Sequence, residues 1–578
     1  MNKIIVKING YERPVDEGST ILEACVASRV DLPSLYYRKG IINEDTSGVC
    51  IAQADGEIVN ASTTVTKPEM DIWTDTPEVI ARRREAVQKI LDVHRFECTD
   101  CPRIDSCELK AVVHACGMGD APYMKSEPMI ADNPSTVLVR DDSKCIRCGR
   151  CVQVCGRIQG IGALRTEGEG LEAHIQPLGD AFSAAMGFGS VNCVNCGQCV
   201  AVCPTAALSE VSQIEEVQKA LDDPEKFVIV QAAPSVRAAL GEAFGFPVGV
   251  DVEGKIAAAL RLLKFDKVFD TKFGADLTIM EESNELLERM TNGGKLPMIT
   301  SCCPGWIKYA EHMWPDFLDN LSSCKSPQQM FGAISKSYYA DKLRIDKKNM
   351  VVVSIMPCVA KKFELTRPDE DGAGVPDVDY SITTRELARM IKSAGIEMES
   401  LPSELFDNPL GIGTGAGVIF GASGGVMEAA LRTAVEKLSG KPLDELNFTA
   451  VRGMEGVKEA SYEVNGKTVK VAAVSGLANA GALLESVKTG NAEYDFIEVM
   501  ACPGGCINGG GQPHQDVATR IECDVPKARA AALYRNDEAA LVRKSHESSA
   551  IKEVYDNFLG TPGSSLAHKL LHTTYIER

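Results

Sequence analysis

One cysteine pattern occurs twice in this chain: residues 145–155 are CIRCGRCVQVC and residues 193–203 are CVNCGQCVAVC. Each copy is C-x2-C-x2-C-x3-C, and every cysteine of the second copy lies 48 residues after its counterpart. This spacing is typical of paired [4Fe–4S] clusters, in which the fourth cysteine of each run binds the other cluster. The expected ligand sets are therefore Cys145, Cys148, Cys151 and Cys203 for one cluster, and Cys193, Cys196, Cys199 and Cys155 for the other.

Zinc is the alternative metal for these runs, because two-residue spacers between cysteines also suit a structural zinc site. Two complete four-cysteine runs favour the iron–sulfur interpretation. Pro204 follows the second run as is usual for such clusters, whereas Gly156 stands at the matching place after the first. We give this small departure little weight.

A third group of candidate ligands lies upstream, as His94-x3-Cys98-x2-Cys101-x5-Cys107. Alone, this spacing also suits zinc, or a buried histidine without any metal. Residues 94–203 hold twelve cysteines, and setting Cys116 aside while adding His94 gives twelve ligands, enough for three clusters. We therefore predict a third [4Fe–4S] cluster with one imidazole ligand, which should raise its reduction potential.

Composition and charge narrow the class of protein. A chain of 578 residues predicts about four domains. The net charge of −19 argues against a general nucleic-acid-binding protein, which needs a basic face. No apolar run approaches the roughly 18–20 residues of a membrane span, and the start MNKIIVKING has no signal-peptide pattern. We expect a cytoplasmic protein that binds neither nucleic acid nor membrane, and whose 21 cysteines serve metals rather than disulfides.

The first part of the chain, residues 1–78, predicts a small mixed domain. The apolar residues Ile4, Val6 and Ile8 recur at every second position, as in a strand, and Asn9-Gly10 predicts a hairpin turn. Thr20 and Glu23 form a candidate capping box at the start of a helix. A second helical pattern follows at 77–93, with Arg82, Arg83 and Arg84 expected on its solvated face.

The rest of the chain divides into two regions of different composition. Residues 94–209 are rich in cysteine and lack long apolar segments, so this region needs inorganic clusters to be stable. From about Val211, the buried-strand candidates FVIVQAAP, MVVVSIMPC and FIEVMACPG alternate with amphipathic helices. This alternation predicts a large α/β unit, and open α/β sheets bind ligands where such strands end.

Three further motifs contain cysteine: TSCCPGW at 300–306, MPCVAKKFE at 356–364 and EVMACPGGCINGGGQP at 498–513. Any one of them alone is compatible with a structural cysteine beside a turn. Together they closely resemble the three signature motifs of the [FeFe]-hydrogenases, and the resemblance extends over residues 79–578. The layout is similar to that of the clostridial multi-cluster monomeric enzymes.

The resemblance implies an active-site cofactor, the H-cluster. In this family a [4Fe–4S] cubane shares one cysteine sulfur with a two-iron unit that carries CO, cyanide and a bridging azadithiolate. Cys506 would provide the shared sulfur, and the neighbour of Cys303, Cys302, would donate protons to the azadithiolate amine. Adjacent side chains diverge, so these two neighbouring cysteines are not expected to serve one iron. The cubane ligands would be Cys303, Cys358, Cys502 and Cys506.

The resemblance also implies a proton path and a cofactor pocket. Glu282, Glu285 and Arg289 lie at i, i+3 and i+7, which places them on one helix face. Without the resemblance, we would interpret this face as merely solvated. Lys361 would bind one cyanide, and Pro234 with Ser235 the other. The expected proton path is Cys302, Glu282, Ser322, Glu285 and Arg289, and the other expected lining residues are Gln328, Met356, Phe420 and Met500.

One departure from the family concerns the N-terminal domain. Relatives with this layout have a plant-ferredoxin-like β-grasp domain there, with four cysteines that bind a [2Fe–2S] cluster. At the expected ligand positions this chain has Leu35-Tyr36-Tyr37, Ser47-Gly48-Val49-Cys50 and Ser62-Thr63-Thr64. Only Cys50 persists, and Cys25 on the predicted helix matches no ligand position. We therefore predict that this domain folds without a [2Fe–2S] cluster.

These expectations combine into a multidomain protein with both α+β and α/β parts. The N-terminal part would be a β-grasp domain, followed by the His/Cys3 cluster domain, a two-cluster bacterial-ferredoxin-like domain and a large two-lobed α/β hydrogenase domain. The expected bounds are 1–78, 79–125, 126–209 and 210–578.

The expected activity is the reversible conversion of two protons and two electrons into H2. Three accessory [4Fe–4S] clusters would exchange electrons with a ferredoxin or flavodoxin, docked at a basic patch that includes Arg82–Arg84. Maturation proteins would supply the two-iron unit, and we expect a monomer. The alternatives are a cluster-assembly relative without the two-iron unit, a redox or hydrogen sensor, and a pyridine-nucleotide-linked enzyme with further subunits.

Overall fold

The computed structural model describes most of the chain. The described residues are 2–96, 98–99, 101–119, 135–178, 192–464 and 466–578. The predicted domain boundary between residues 125 and 126 lies outside them. Within these ranges, no helix is both long enough and apolar enough to cross a membrane.

The N-terminal residues form a five-stranded mixed sheet with one short helix. Its elements are β1 (Lys3–Ile8), β2 (Tyr11–Asp16), α1 (Ile21–Ala27), β3 (Ile51–Ala54), β4 (Glu57–Asn60) and β5 (Asp71–Trp73). The strand order is β2-β1-β5-β3-β4, with β1 and β5 parallel. The predicted turn at Asn9-Gly10 joins β1 to β2, since both residues have positive φ angles. The predicted capping box of Thr20 and Glu23 opens α1.

The helix α2 (Pro77–Leu91) follows this sheet and corrects one expectation. Arg83 is buried, and its guanidinium donates hydrogen bonds to the backbone carbonyls of Val49, Ile51 and Thr74. Arg82 is exposed, where it pairs with a glutamate one turn earlier. The prediction that Arg82–Arg84 share a solvated face is therefore wrong. Successive helix residues are rotated by about 100°, which turns Arg83 toward the N-terminal sheet.

The cysteine-rich region consists of short elements around two loops. They are α3 (Glu108–Ala115), β6 (Leu138–Arg140), α4 (Arg150–Gln153), β7 (Leu164–Glu167), β8 (His174–Pro177), α5 (Gln198–Val202) and β9 (Leu208–Glu210). β6 pairs with β9 and β7 pairs with β8, both antiparallel. Gly149 and Gly197 precede α4 and α5 with the same φ of 71°, so the two cysteine runs repeat in backbone conformation as well as in sequence.

The large C-terminal region contains two four-stranded sheets. The strands are β10 (Phe227–Ala232), β11 (Lys267–Asp270), β12 (Met298–Ile299), β13 (Met350–Met356), β14 (Tyr380–Thr383), β15 (Val457–Val464), β16 (Lys467–Ser475) and β17 (Phe496–Met500). The first sheet has the order β11-β10-β13-β14 and is parallel throughout. The second has the order β12-β17-β16-β15, and only its edge strand β15 is antiparallel. The three predicted buried strands are β10, β13 and β17.

Helices cover both sheets and complete the α/β architecture. They are α6 (Ile214–Asp222), α7 (Pro234–Arg237), α8 (Glu253–Leu262), α9 (Lys272–Asn292), α10 (Pro304–Met313), α11 (Pro327–Ile334), α12 (Ala340–Leu343), α13 (Ala360–Glu364), α14 (Thr384–Ser393), α15 (Gly415–Ile419), α16 (Gly425–Ser439), α17 (Leu477–Lys488), α18 (Val517–Glu522), α19 (Val525–Ala539), α20 (Ser549–Val554) and α21 (Ser565–Leu571). The carboxyl ends of β10 and β13 face those of β12 and β17 across one internal cavity.

Candidate active site

The cavity between the two sheets has a volume of about 90 Å³. The loops after β10, β12, β13 and β17 provide most of its walls, as expected for ligand sites at the carboxyl ends of parallel strands. It brings together all twelve residues that the sequence analysis assigned to the cofactor pocket. These are Pro234, Ser235, Cys302, Cys303, Gln328, Met356, Cys358, Lys361, Phe420, Met500, Cys502 and Cys506.

Four cysteine thiols from three loops face this cavity. Cys303 begins α10, Cys358 follows β13, and Cys502 and Cys506 follow β17. None of the four forms a disulfide. Burial and the neighbouring Cys303 raise the pKa of Cys358 to about 12. Four thiols around one enclosed space are the donor set of a cubane, so the residues present fit the [4Fe–4S] part of the implied cofactor.

Lys361 contributes a buried positive charge to the same cavity. Its Nζ donates to the carbonyl oxygen of Cys302 at 3.1 Å and to both carboxylate oxygens of Glu364 at 3.0 Å. Burial opposes this charge, but Glu364 and Cys302 outweigh it and raise the pKa of Lys361. The ammonium therefore stays protonated beside the cavity.

Glu364 is a site residue that the sequence reasoning did not identify. Besides Lys361, it accepts hydrogen bonds from Gln328 Nε2 at 2.9 Å and from Ser326 Oγ at 2.8 Å. It therefore holds Lys361 and Gln328 in place together. The signal was present in the motif MPCVAKKFE, where Lys361 and Glu364 lie at i and i+3 of α13.

Ser235 also lines the cavity, and its hydroxyl lies against Gly421. Its Oγ is buried and has no hydrogen-bond partner among the described residues. A Cβ atom on Gly421 would lie 2.3 Å from this oxygen, so only glycine leaves the hydroxyl unobstructed. An unpaired buried hydroxyl at an otherwise apolar wall fits a polar diatomic ligand such as cyanide.

The expected proton path begins at Cys302 and follows α9 toward the surface. Glu282 is only 1% exposed, and its Oε2 has no hydrogen-bond partner among the described residues. Burial and the nearby Glu285 raise the pKa of Glu282 to about 8. Burial and Glu282 in turn raise the pKa of Cys302, which makes the two groups electrostatic neighbours.

The outer half of this path is a continuous set of hydrogen bonds. Ser322 Oγ donates to Glu285 Oε2 at 2.8 Å, and Glu285 pairs with Arg289 at 2.6 Å. The Glu285 and Arg289 side chains are each 15% exposed, so this end approaches the surface. The alternative of a merely solvated helix face is therefore wrong for Glu282, which is enclosed by protein.

The two cysteine runs form two further enclosed spaces, each of about 20 Å³. One is lined by Cys145, Cys148, Cys151 and Cys203, and the other by Cys155, Cys193, Cys196 and Cys199. The fourth cysteine of each run thus lies with the first three of the other run. These groupings match the ligand sets that the spacing predicts.

The upstream group of candidate ligands is more open. Cys98, Cys101 and Cys107 are half-buried. Besides burial, Cys98 raises the pKa of Cys101, and Cys101 raises the pKa of Cys107, so the three thiols lie close together. His94 is buried, and its Nδ1 has no partner among the described residues. Burial lowers the pKa of His94 to about 4, which keeps the imidazole neutral, as a metal ligand must be.

In the N-terminal domain, a carboxylate organises the loops where the family resemblance places the [2Fe–2S] ligands. Asp45 is 2% exposed and accepts hydrogen bonds from Ser34 Oγ at 2.8 Å and Leu35 N at 2.7 Å. It also accepts from Tyr36 N at 3.1 Å and Ser47 N at 3.0 Å. The backbone amides of Leu35, Tyr36 and Ser47 therefore have a protein acceptor in Asp45. The sequence reasoning did not identify Asp45.

These features define a multi-cluster iron–sulfur oxidoreductase, and comparisons with known proteins agree. Residues 226–510 match the family model of the iron-only hydrogenase large subunit, C-terminal domain. Residues 523–578 match the iron hydrogenase small subunit, and residues 144–207 match a 4Fe-4S dicluster domain.

Full-length relatives and solved structures point the same way. The chain is 46% identical to the NADP-reducing hydrogenase subunit HndD of Solidesulfovibrio fructosivorans, with both chains fully covered. It is 44% identical to iron hydrogenase 1 of Clostridium pasteurianum, over 98% of this chain and 99% of that one. The structure of a variant of the [FeFe]-hydrogenase HydA1 from Chlamydomonas reinhardtii is 44% identical with a TM-score of 0.56, over 64% of this chain and 99% of that one. The chain belongs to the iron-only, or [FeFe]-, hydrogenase family, whose members are oxidoreductases that act on H2.

Proposed function

We propose that this chain interconverts H2 with two protons and two electrons at an H-cluster held by Cys303, Cys358, Cys502 and Cys506. The observation that supports this assignment is the single cavity that all twelve expected pocket residues line. When bound, the two-iron unit supplies an open iron site where H2 is formed or split. The protein supplies the ligands, the donors and the exclusion of water.

Each wall of the cavity has a proposed task. Lys361 would donate a hydrogen bond to one cyanide, and Glu364 keeps its ammonium charged and fixed in position. Ser235, with Pro234 beside it, serves the other cyanide through its unpaired hydroxyl. Met356, Met500 and Phe420 provide apolar walls that exclude water, and Gln328 is fixed by Glu364.

Protons are proposed to reach the cofactor from the surface through Arg289, Glu285, Ser322, Glu282 and Cys302. Cys302 holds its proton, because burial and Glu282 keep its pKa high. It is therefore a neutral donor that gives a proton only to a strong nearby acceptor. Glu282, with a pKa raised to about 8, is poised to return that proton at neutral pH.

Electrons are proposed to travel separately through three accessory [4Fe–4S] clusters in the domains 79–125 and 126–209. The ligands are His94, Cys98, Cys101 and Cys107 for the outer cluster, and the two crossed cysteine sets for the inner pair. The domain 1–78 has no cluster in this proposal, which the Asp45 hydrogen bonds support. Electrons then enter near His94 rather than through the N-terminal sheet, and residues 210–578 form the catalytic domain.

The electron partner is proposed to be a ferredoxin or flavodoxin. A second candidate is a pyridine-nucleotide-reducing enzyme with further subunits, because the full-length relative from Solidesulfovibrio fructosivorans is named an NADP-reducing hydrogenase subunit. H2-dependent reduction of purified ferredoxin by this chain alone supports the first. Reduction of NADP only after other subunits are added supports the second. The monomeric state, the cytoplasmic location and the need for maturation proteins remain predictions.

Infrared spectroscopy and H2 evolution on anaerobically matured protein test the proposed activity. We expect absorption bands of CO and cyanide together with H2 evolution from a reduced viologen. Cubane iron without these bands would assign the chain to the cluster-assembly relatives instead. A matched sample without maturation proteins, which should lack both bands and activity, controls for adventitious iron.

A further inference from the structure

A cysteine, a histidine and a glutamate meet beside the outer end of the proposed proton path. One ligand atom each from Glu285, Cys324 and His572 lies within 4.8 Å of the other two. Cys324 is fully buried, and His572 is 8% exposed. Neither Cys324 nor His572 belongs to a cluster motif or to the cofactor pocket. A mixed thiol, imidazole and carboxylate set is the donor combination that Zn²⁺ prefers.

We propose that Zn²⁺ binds to Glu285, Cys324 and His572 and inhibits the enzyme by withdrawing Glu285 from proton transfer. The inhibition rests on the proposed role of Glu285 in the proton path, whereas the binding does not. With three protein ligands, a water molecule completes the tetrahedron.

The surroundings of His572 suit a metal ligand. Glu281 Oε2 lies 3.1 Å from His572 Nε2 and also accepts from Gly563 N at 2.8 Å, while Tyr555 donates to Glu281 Oε1. A carboxylate with these donors acts as an acceptor, so Nε2 carries the imidazole proton. Nδ1 then keeps its lone pair, which now accepts from Ser323 Oγ at 2.8 Å. A carboxylate that orients a histidine is the usual outer partner of a zinc ligand.

Zinc is also able to reach this site, and the Glu285–Arg289 ion pair is able to open. The Glu285 and Arg289 side chains are each 15% exposed, so solvent reaches one of the three candidate ligands, Glu285. Arg289 would not be left unpaired by the loss of Glu285, because it also donates to the carbonyls of Leu321 at 2.7 Å and Lys295 at 3.2 Å. Zinc entry therefore replaces one ion pair without leaving a buried charge alone.

Binding follows a balanced exchange of one proton. The S–H bond of Cys324 breaks, a Zn–S bond forms, and the proton leaves to solvent. No oxidant or reductant takes part.

The test uses matured holoenzyme, with ZnSO4 as the probe. Zinc retained after desalting and H2 evolution from reduced viologen are measured, with iron content as a check on the clusters. We expect about one retained zinc per chain, inhibition that a chelator reverses, and an apparent affinity at least about tenfold weaker in Cys324→Ser and His572→Gln. His546→Gln is the matched control, since His546 belongs to a separate group with Glu436 and Glu547; it should behave like the unmodified enzyme.

Equal zinc retention in all three variants would overturn the site. If zinc retention depends on Cys324 and His572 but zinc does not inhibit H2 evolution, the proposal that zinc blocks proton transfer is wrong. Zinc retention is measured independently of turnover, so a chain that shows no hydrogenase activity at all would refute the proposed function while the zinc site is still tested. Far-ultraviolet circular dichroism of each variant separates misfolding from loss of a ligand.

Discussion

The ammonium of Lys361 donates a 3.1 Å hydrogen bond to the carbonyl oxygen of Cys302. Lys361 lies on α13, which follows β13 of the first sheet, and Cys302 lies in the loop after β12 of the second sheet. This bond joins the two sheets beside the cavity that they share. The position of the proposed proton donor therefore depends on a charged residue from the other half of the catalytic region.

Replacing Cys302 by alanine tests the proton donor. We expect Cys302→Ala to keep its iron content and its CO and cyanide bands, because Cys302 is not a proposed ligand. H2 evolution should fall by about 10²–10⁴-fold, the usual contribution of a positioned acid. Cys523→Ala, which removes a free thiol beyond α18, is the control and should be fully active. Turnover near that of the control would remove Cys302 from the mechanism.

The Glu282→Gln variant tests the proton path against a general electrostatic effect. Glutamine keeps the shape of Glu282 but cannot cycle a proton, so activity should collapse while folding is preserved. Glu288→Gln on the exposed face of the same helix should have little effect. Glu281 is unsuitable as a control because it is buried and accepts hydrogen bonds from Tyr555 and Gly563. Equal losses at 282 and 288 would contradict a specific path.

The pH dependence of H2 evolution should report Glu282. Its pKa is raised to about 8 by burial and by Glu285, with a further increase from Glu498, while Ser322 and Arg289 lower it. Below this pH the carboxyl group is protonated and able to donate. Above it the group is ionised, so the rate should decline through the pKa.

Two variants should shift the alkaline limb of this pH profile, where the rate declines, in opposite directions. Glu285→Gln removes a negative neighbour and should move the limb to lower pH, whereas Arg289→Gln removes a positive neighbour and should move it to higher pH. The measurement is the full pH profile of each variant, normalised to its own maximum. Shifts in the same direction would assign the limb to another group.

Variants of the buried ion pair between Lys361 and Glu364 should affect stability and activity differently. Glu364→Leu leaves the lysine charge buried without its carboxylate and should cost about 3–5 kcal/mol of unfolding free energy. The double variant Lys361→Met/Glu364→Leu should recover most of this stability, since no unpaired charge remains. It should nevertheless stay inactive, because the proposed cyanide donor is lost. Thermal unfolding and H2 evolution measured together decide between these outcomes.

The metal content tests the prediction of a clusterless N-terminal domain. Three accessory cubanes, the active-site cubane and the two-iron unit contain about 18 iron atoms per chain. Electron paramagnetic resonance of the reduced protein should show no [2Fe–2S] signal, and deleting the N-terminal domain, residues 1–78, should spare activity with an artificial reductant. A count near 20 with a [2Fe–2S] signal would show that Asp45 does not replace a cluster.

Much of the site could be predicted from local sequence. The spacing of the two cysteine runs predicted both ligand sets. Short spacers bring the first three thiols of each run together, and the fourth cysteine of each run was assigned to the cluster of the other run. The three signature motifs identified most of the residues around the central cavity, since each motif lies at the carboxyl end of a buried strand. The turn at Asn9-Gly10 and the capping box of Thr20 are also local features, determined by backbone preferences within a few residues.

Only the tertiary structure decided which charges are buried and what they contact. Glu282 and Glu288 lie on one helix, but α9 packs the first against the protein and leaves the second exposed. Arg83 was expected in solvent, yet the strands of the N-terminal sheet present three carbonyls to it. Asp45 becomes an anchor, and Cys324 meets His572 across 248 residues of sequence, only when distant segments pack together. Burial and desolvation depend on the whole fold, so these electrostatic properties have no local signal in the sequence.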